Sequence, residues 1–388
     1  MSSAAVLDFL SIDSALSQDE RDIRDAVRVF VREQVTPEVH EWFEAGRPPR
    51  ELMAELGKLG VLGMHLEGYG CAGMSATAYG LACLELEAGD SGIRSLVSVQ
   101  GSLAMFAIHK WGSEEQKQEW LPRMAAGEAI GCFGLTEPDS GSDPGSMRTS
   151  ARRDGDDWIL RGQKMWITNG SLADVAVVWA RTDDGIQGFL VPRGTAGFST
   201  PDIHSKLSLR ASVTSELVLD DVRVPDTARL PGVQSLRGPL SCLNEARYGI
   251  VWGSIGAARA CLEAAVDYST TRIQFGKPIG AFQIQQEKLA RMAVEVNRGT
   301  LLALHLGRLK DEGTIRPEHV SMGKLSNVNA ALEVARTARQ VLGANGITLE
   351  YPVMRHLVNL ETVVTYEGTA DVHALVVGGV LTGLDAFR

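Results

Sequence analysis

The sequence predicts an α+β protein in which one β region lies between two helical regions. Apolar residues recur at helical spacing behind capping boxes in residues 1–130, and helical spacing returns in residues 236–388. Between them, residues 131–235 carry short runs of β-branched and aromatic residues separated by turn signals. We therefore expect an N-terminal helical domain, a central β domain of barrel or sandwich type, and a C-terminal four-helix bundle.

Two helix starts mark the N-terminal region. Ser17 and Glu20 form one capping box, and Ser113 and Gln116 form a second. Behind the first box, the apolar residues at helical spacing are Ile23, Ala26, Val27, Phe30 and Val31. Few residues before Cys132 favour strands, so helices are expected throughout this region.

Five apolar runs predict the strands of the central region. They are residues 158–160, 165–168, 175–179, 188–191 and 217–219. The Asp-Gly and Asn-Gly turn signals lie at residues 154–155, 169–170 and 184–185. After Pro225 the spacing of the apolar residues becomes helical again. One stripe at steps of three, four and seven consists of Leu289, Met292, Val296, Ala303 and Leu306.

Composition excludes several classes of protein. The 388 residues are 44% hydrophobic and 22% charged, as in globular proteins, and the net charge of −10 argues against a nucleic-acid-binding surface. The five cysteines lack CxxC or metal-ligand spacing, so we expect no metal and no disulfide framework. Apolar stretches such as 374–384 are shorter than the roughly 18 residues of a membrane span, and residues 1–7 lack signal-peptide features. A cytoplasmic location without membrane contact is expected.

Two motifs in the central region suit a flat, polar ligand. Residues 133–143 combine three hydroxyls and two glycines, which can present donors to a planar ligand or a phosphate; the alternative is an ordinary connecting loop. Trp166 and Thr168 lie two residues apart, hence on one face of a strand, where they can stack on a cofactor and bond to its edge. The alternative for Trp166 is a half-buried core residue.

Three further motifs lie in the C-terminal region. Residues 272–276 offer a cation, an amide and an aromatic ring that suit a pyrophosphate or an adenine edge, or else form a solvated helix end. Residues 340–346 close a helix with a glycine-rich loop, which a simple C-cap also explains. In residues 366–371, Glu367 follows an apolar run and is a candidate base with a raised pKa, unless it is merely a solvated acid.

Taken together and in this order, these motifs resemble the acyl-CoA dehydrogenase family across nearly the whole chain. The matching motifs are FGLTEP with GSD, WITN, RxQFG, a QxxGxxG-type loop and YEGT. Within the family, the chain most resembles the branch that acts on glutaryl-CoA. The segments that carry this finer resemblance are residues 90–95 with 98–100, residues 206–212 and residues 244–249.

The resemblance implies FAD as the cofactor, bound between the β domain and the C-terminal helices and partly by a neighbouring subunit of a homotetramer. The residues implied near the flavin ring are Phe133, Leu135, Thr136, Trp166, Ile167 and Thr168, and Ser142 is implied at the phosphate or thioester region. The residues implied at the pyrophosphate and adenosine are Arg272, Phe275, Gln283, Gln340, Gly343, Ala344, Thr369 and Asp371. Electron-transfer flavoprotein is the implied acceptor.

The resemblance also implies that Glu367 is the catalytic base. It would remove the α-proton of an acyl-CoA thioester while a hydride leaves the β-carbon for the flavin. Some relatives place the base immediately before the arginine that corresponds to Arg247, where this chain has Ala246. Glu245 is turned about 100° away on a helix, so we expect it to be structural or near the acyl-CoA mouth. Arg247 is expected to contact CoA or the substrate.

Arg94 predicts the substrate. A buried guanidinium is costly in an apolar pocket, whereas Arg94 with Ser95 and Ser98 suits a terminal carboxylate. Glu87 lies seven residues earlier on the same helical stripe and would bond with Arg94, although a surface ion pair is the alternative. The other residues expected at the substrate are Ser142, Asn244, Arg247, Tyr366 and Gly368.

The expected reaction is oxidative decarboxylation of glutaryl-CoA to crotonyl-CoA and carbon dioxide, as in lysine and tryptophan degradation. Tyr366 and Glu87 favour decarboxylation in the family pattern, whereas Ile93 replaces an aromatic residue of some relatives. The alternatives are a non-decarboxylating glutaryl-CoA dehydrogenase and a short-chain or branched-chain acyl-CoA dehydrogenase. An acyl-CoA oxidase and a non-catalytic flavoprotein scaffold are weaker alternatives. His65, His109 and His373 are expected to be ordinary histidines.

Overall fold

The computed structural model describes residues 8–387 and shows the predicted order of helices, strands and helices. Residues 1–7, which carry the expectation that no targeting segment is present, lie outside the described residues. The helices before the first strand are α1 (Gln18–Phe30), α2 (Val39–Ala45), α3 (Leu52–Lys58), α4 (Ala76–Gly89), α5 (Ser91–Ser98), α6 (Phe106–Trp111) and α7 (Glu114–Ala125).

Both predicted capping boxes are confirmed. Ser17 Oγ accepts a hydrogen bond from the Glu20 N–H at 3.3 Å, and the Glu20 carboxylate accepts one from the Ser17 N–H at 2.8 Å. Ser113 and Gln116 form the same reciprocal pair at the start of α7. These bonds satisfy backbone donors that the first turn of a helix leaves unpaired, and they fix where the helices begin.

Helix α5 is the element that positions the predicted substrate residues. Asp90 caps it by accepting the Gly92 N–H at 2.6 Å. Arg355 and Asn359, from a helix near the C-terminus, both donate to the other oxygen of Asp90. A π-helical segment, Val99–Met105, joins α5 to α6 without a break. The start of α5 is therefore held rigidly, and a π-helical turn follows directly after Ser98.

The central region forms one seven-stranded sheet. Its strands are β1 (Gly131–Gly134), β2 (Ser150–Asp154), β3 (Asp157–Thr168), β4 (Val175–Thr182), β5 (Gly185–Pro192), β6 (Phe198–Ser199) and β7 (Thr214–Pro225). The order is β1-β4-β2-β3-β7-β6, and β5 also pairs with β4. The β1–β4 pair is parallel, whereas the β2–β3, β3–β7 and β4–β5 pairs are antiparallel.

Two strand predictions need correction. The runs 158–160 and 165–168 belong to the single strand β3, because Gly162 lies at a register shift rather than in a turn. Strand β2 was not predicted, since its residues are mostly charged and exposed and only Ala151 is buried. The predicted turns at 154–155 and 184–185 are confirmed as the β2–β3 and β4–β5 hairpins.

The C-terminal region is a helical bundle. A two-stranded hairpin of β8 (Ile273–Gln274) and β9 (Lys277–Pro278) separates its first two helices. Its helices are α8 (Arg237–Thr271), α9 (Gln283–Asp311), α10 (Pro317–Leu342), α11 (Pro352–Val363) and α12 (Ala370–Thr382). The predicted stripe lies on α9, where Met292, Val296, Ala303 and Leu306 are buried.

Helix α8 is the core helix of the molecule. It is long and apolar enough to span a membrane by length and composition, but 72% of its most apolar window is buried inside the protein. The expectation that every apolar stretch is too short for a membrane span is therefore wrong for α8. Small and polar residues interrupt its apolar run, which is why the sequence pattern did not reveal it. Gly256 allows α8 to approach α4 closely, since a Cβ there would overlap the Leu84 carbonyl oxygen.

We predict that Gly256→Ala lowers the free energy of unfolding by about 1–3 kcal/mol or more, because the backbones of α8 and α4 must separate. Gly378→Ala on α12 is the matched control, since nothing lies within 4 Å of a Cβ at Gly378. It should leave stability unchanged or raise it by about 0.5–1 kcal/mol through helix propensity. Urea denaturation measures both; equal stability of the two variants would contradict the close α4–α8 approach.

Candidate active site

Glu87 on α4 and Arg94 on α5 form a wholly buried ion pair. The Arg94 Nε lies 2.6 Å from Glu87 Oε2, and both side chains are 0% exposed. Arg94 also donates through Nη2 to the Tyr366 hydroxyl, and its guanidinium lies 5.8 Å from the centre of the Tyr366 ring. The alternative of a surface ion pair at Arg94 is therefore wrong.

Several polar atoms around this pair have no hydrogen-bond partner within residues 8–387. They are Arg94 Nη1, Glu87 Oε1 and Ser98 Oγ, all buried. Ser95, one residue after Arg94, is also buried. Buried polar groups are nearly always hydrogen-bonded, and unpaired ones are costly. Their concentration here indicates a place built to receive a polar ligand group.

The loop between α11 and α12 carries Glu367. Its backbone has a φ of 53°, a left-handed value that residues with a Cβ rarely adopt, and Gly368 follows at 95°. Glu367 is half-buried as a residue, but its Oε2 is buried and has no hydrogen-bond partner among the described residues. Backbone strain of this kind concentrates at functional sites, where the surrounding structure holds it.

Two further cations, the half-buried Arg247 and the buried Lys324, lie around this loop. Arg247 Nε on α8 donates to the Glu367 carbonyl oxygen at 2.7 Å. Lys324 Nζ on α10 donates to the carbonyl oxygens of Tyr366 at 2.6 Å and Gly368 at 2.7 Å. The structure thus brings the predicted residues Glu87, Arg94, Arg247, Tyr366, Glu367 and Gly368 together, although the first and last are 281 positions apart.

The electrostatics of this cluster follow from burial. Burial raises the pKa of Glu367 above its usual value, although Arg94, Lys324 and Arg247 act in the opposite direction. Burial opposes the charge on Arg94, but Glu87, Tyr366 and Glu367 together outweigh it, so the Arg94 pKa is raised. Burial lowers the pKa of Lys324 to about 7, with Glu367 opposing the change. Glu367 therefore keeps a higher proton affinity than an exposed glutamate, as a base requires.

Glu245 lies outside this cluster of charges. Its carboxylate pairs with Lys310 on α9 at 2.8 Å, whereas the neighbouring Ala246 is buried in the core. The pairing agrees with the structural role expected for Glu245. Asn244, one residue earlier, accepts a hydrogen bond from Arg247 Nη1 at 3.4 Å.

The residues predicted near a flavin ring lie along β1, β3 and the loop after β1. The Thr136 carbonyl accepts the Met165 N–H at 2.9 Å, so the two segments are adjacent. Phe133, Leu135 and Ile167 are buried and contribute their side chains to core clusters, Thr168 is half-buried, and Ser142 is exposed. The carboxamide of Asn169, next after Thr168, donates to the Leu96 carbonyl of α5 at 3.5 Å. The end of β3 thus adjoins α5, the helix that carries Arg94.

Trp166 departs from the regular strand. It has a φ of 65° at the register shift in β3, and 54% of its surface is exposed. The alternative of a half-buried core tryptophan is therefore wrong. An exposed indole ring beside the half-buried Thr168 is an arrangement suited to stacking on a flat ligand.

The residues predicted for a pyrophosphate and adenosine lie at one end of the bundle. The Arg272 N–H donates to the Tyr268 carbonyl at 2.9 Å, and Asn345 in the 340–346 loop donates to the Tyr268 hydroxyl at 3.0 Å. Phe275 is 93% exposed. Also exposed are Gln283, Gln340, Gly343 and Ala344. Thr369 caps α12 and Asp371 lies in its first turn, directly after the Glu367 loop.

Sequence reasoning missed Lys324, whose neighbour His373 was expected to be an ordinary histidine. Lys324 interrupts the buried stripe of α10 that continues through Val328, Ala331 and Ala335, and a lone lysine on an apolar stripe was the available signal. His373 bonds to Ser321 at 3.1 Å, as an ordinary histidine does, but it also lies directly behind Gly368.

The comparisons with known proteins agree with this geometry. Acyl-CoA dehydrogenase family models match the chain as N-terminal domain (residues 17–128), middle domain (132–222) and C-terminal domain (237–382). The chain therefore belongs to the acyl-CoA dehydrogenase family, and the resemblance seen in the sequence is confirmed.

Similar solved structures and a similar sequence refine this result. A glutaryl-CoA dehydrogenase from Mycobacterium smegmatis is 68% identical, with a TM-score of 0.96 over 97% of this chain and 98% of that one. A second from that organism, in complex with FADH2, is 63% identical, with a TM-score of 0.97 over 98% and 99%. The mitochondrial short-chain specific acyl-CoA dehydrogenase of Bos taurus is 36% identical over 94% of this chain and 90% of that protein.

The buried pair yields a stability prediction. Glu87→Leu should lower the free energy of unfolding by about 3–5 kcal/mol, because it leaves the Arg94 charge buried without its carboxylate. Adding Arg94→Met should recover part of that loss, since no buried charge then remains at either position. Denaturant unfolding of both variants measures the difference. A double variant less stable than Glu87→Leu alone would show that Arg94 does not depend on Glu87.

Proposed function

We propose that this protein oxidises glutaryl-CoA with FAD as cofactor and decarboxylates the product to crotonyl-CoA and carbon dioxide. The observation that carries the proposal is Arg94, a wholly buried guanidinium with one unpaired nitrogen, bonded to the tyrosine that precedes Glu367. A guanidinium holds a carboxylate through directional, charge-assisted bonds, and a neutral acyl tail offers it none. The two solved structures named as glutaryl-CoA dehydrogenases support the same substrate.

The residues present fit FAD. Trp166 offers an exposed ring next to Thr168, and Arg272 lies exposed at the end of the bundle. Gly343 has a φ of 61° and nothing within 4 Å of its Cβ position, so a ligand can approach its backbone closely. We propose that the β3 residues hold the flavin ring and that the bundle-end residues hold the pyrophosphate and adenosine. When bound, FAD supplies the acceptor for a hydride.

Glu367 is the proposed base. The Oε2 atom of its carboxylate is buried without a partner among the described residues, and burial raises its pKa towards the range in which a base can take a carbon-bound proton. The Glu367 N–H is the donor proposed for the thioester carbonyl, where negative charge develops as the α-proton leaves. Arg247 holds the Glu367 carbonyl and so orients the loop.

Arg94 and Glu367 together account for the decarboxylation. After oxidation, the γ-carbon that carries the terminal carboxylate is allylic to the new double bond, which is itself conjugated with the thioester carbonyl. Breaking the bond between the γ-carbon and this carboxylate releases carbon dioxide and leaves its electron pair in a dienolate. The protonated Glu367 then returns its proton to carbon, which gives crotonyl-CoA. Tyr366 and Glu87 lie beside the guanidinium that would hold the leaving carboxylate.

The acceptor, the assembly and the location are further parts of the proposal. Electron-transfer flavoprotein is the acceptor that the family resemblance implies. We propose a homotetramer, because the residues assigned to the FAD adenosine, such as Phe275 and Gly343, lie exposed on the single chain and suit a site shared with a neighbouring subunit. A cytoplasmic location stays a prediction from the sequence.

A second candidate is a short-chain acyl-CoA dehydrogenase that takes a neutral substrate. The Bos taurus relative favours it, since it shares the fold at 36% identity over most of both chains. A non-decarboxylating glutaryl-CoA dehydrogenase is a third. Turnover and product analysis separate the three.

We predict that glutaryl-CoA is turned over faster than butyryl-CoA and that its product is crotonyl-CoA with released carbon dioxide. Arg94→Ala should lower kcat/KM for glutaryl-CoA by about 10²-fold or more, because two charge-assisted bonds to the carboxylate are lost. It should affect butyryl-CoA much less. Spectrophotometric assays and chromatography of the thioester products measure these outcomes.

The matched control is Arg32→Ala, which removes an arginine from the exposed pair with Glu33. It should leave kcat/KM unchanged for both glutaryl-CoA and butyryl-CoA. Faster turnover of butyryl-CoA by the wild type would favour the neutral-substrate candidate. Glutaconyl-CoA as the final product would refute the decarboxylation and leave the substrate assignment standing.

Glu367→Gln should abolish reduction of the bound flavin by glutaryl-CoA, with a rate loss of about 10⁴-fold, because the amide cannot take the α-proton. Since burial raises the Glu367 pKa, wild-type kcat/KM should fall as the pH drops through a value above the 4.5 of an ordinary glutamate. Anaerobic stopped-flow absorbance measures the reduction. The variant should still bind the thioester, and undiminished flavin bleaching would contradict the assignment.

A further inference from the structure

Three consecutive backbone carbonyls around the proposed base each accept a hydrogen bond from a cation, either the buried Lys324 or the half-buried Arg247. Lys324 Nζ binds those of Tyr366 at 2.6 Å and Gly368 at 2.7 Å, and Arg247 Nε binds that of Glu367 at 2.7 Å. Lys324 is 2% exposed. One ammonium group therefore fixes the backbone on both sides of Glu367, from a helix that contributes no other residue to the cluster described above.

The Glu367 backbone needs such support. Its φ of 53° is disfavoured for a residue with a Cβ, so the conformation persists only where the surroundings hold it. The peptide groups on either side of the Glu367 Cα carry the Tyr366 carbonyl, which Lys324 binds, and the Glu367 carbonyl, which Arg247 binds. Lys324 also binds the next carbonyl, that of Gly368. A change of φ at Glu367 would break at least one of these bonds and swing the carboxylate away from its place.

We propose that Lys324 is a positioning residue for Glu367. It fixes the left-handed loop that directs the carboxylate, and its positive charge stabilises the ionised form of the base. The inference rests on the proposed function insofar as Glu367 acts as the base in thioester oxidation. It does not depend on whether the acyl tail carries a carboxylate.

The other charged and titratable groups near Lys324 do not replace it. Arg247 binds only the middle carbonyl, and Arg94 is engaged by Glu87 and Tyr366. His373, on α12, is held neutral because burial, Lys324 and Arg247 lower its pKa to about 3. The groups that face Lys324 or its loop from each packed element are Glu87 (α4), Arg94 (α5), Arg247 (α8), Tyr366 and Glu367 (the loop) and His373 (α12).

The test uses the holoenzyme with Lys324→Met, which removes the donors and the charge at similar length, and Lys324→Arg, which keeps the charge. Lys324→Met should lower kcat by about 10²-fold through misplacement of the base, with a smaller change in KM. The acid limb of its kcat/KM profile should move up by about one pH unit, because an opposite charge near Glu367 is lost. Lys324→Arg should restore the acid limb but only part of kcat.

The assay substrate is whichever of glutaryl-CoA and butyryl-CoA the wild type oxidises faster, with a dye as electron acceptor. Lys206→Met is the matched control, because Lys206 is a half-buried lysine that also donates to loop carbonyls, those of Leu209 and Ser212. It should lower the melting temperature without moving the acid limb. Melting temperature and FAD content are measured for every variant.

A crystal structure of Lys324→Met separates this inference from the proposed function. If the wild type oxidises neither thioester, the proposed function fails, but the structure still reports on the loop. Relaxation of Glu367 to a negative φ supports the inference, and a φ near 53° with the carboxylate in place overturns it. Should Lys324→Met not fold, Lys324→Arg decides: a reduced kcat with an unshifted acid limb supports the inference, and an unreduced kcat overturns it.

Discussion

The structure depends on a cluster of buried and half-buried charges at the loop that carries Glu367. Three cations, Arg94, Arg247 and Lys324, face two carboxylates, Glu87 and Glu367. Removing a charge from water costs several kcal/mol per ion even after relaxation, so such a cluster persists only where partners are close and well oriented. The formal excess of one positive charge in a chain of net charge −10 is the physical basis for expecting an anionic group in the substrate.

The fold is arranged so that this cluster can exist. Helix α8 passes over the Glu87–Arg94 pair at Gly253, where a Cβ would overlap the Glu87 carboxylate, and over α4 at Gly256. Glycine at these points brings α8 close to its neighbours, and Arg247, which precedes both glycines on the same helix, then reaches the Glu367 carbonyl. On the other side, Asp90 is held by residues of α11 and fixes the start of α5. The packing of these helices therefore determines the positions of the charged side chains, and a change in one would alter the other.

Local patterns predicted much of this architecture. The capping boxes, the hairpin turns and the stripe on α9 are short-range signals, and the structure confirms them. The motif around Glu367 located the candidate base for the same reason. Lys324 was missed because its role depends on a loop 42 residues away that only the folded chain brings near. Strand β2 was missed because its mostly charged, exposed residues lack an apolar pattern, and Trp166 lies in a register shift that strict alternation does not foresee.

The fold alone does not choose among acyl-CoA substrates, since a short-chain specific relative shares it at 36% identity. The choice is made where the acyl tail would end. With a neutral tail, the donors Arg94 Nη1 and Ser98 Oγ would stay buried without partners, and each unpaired group costs about 1–3 kcal/mol, more when charged. A terminal carboxylate would accept from both Arg94 and Ser98, and its charge would offset the excess positive charge of the cluster. Substrate binding would then complete an electrostatic arrangement that the protein alone leaves unbalanced, and loss of that carboxylate as carbon dioxide would restore the imbalance.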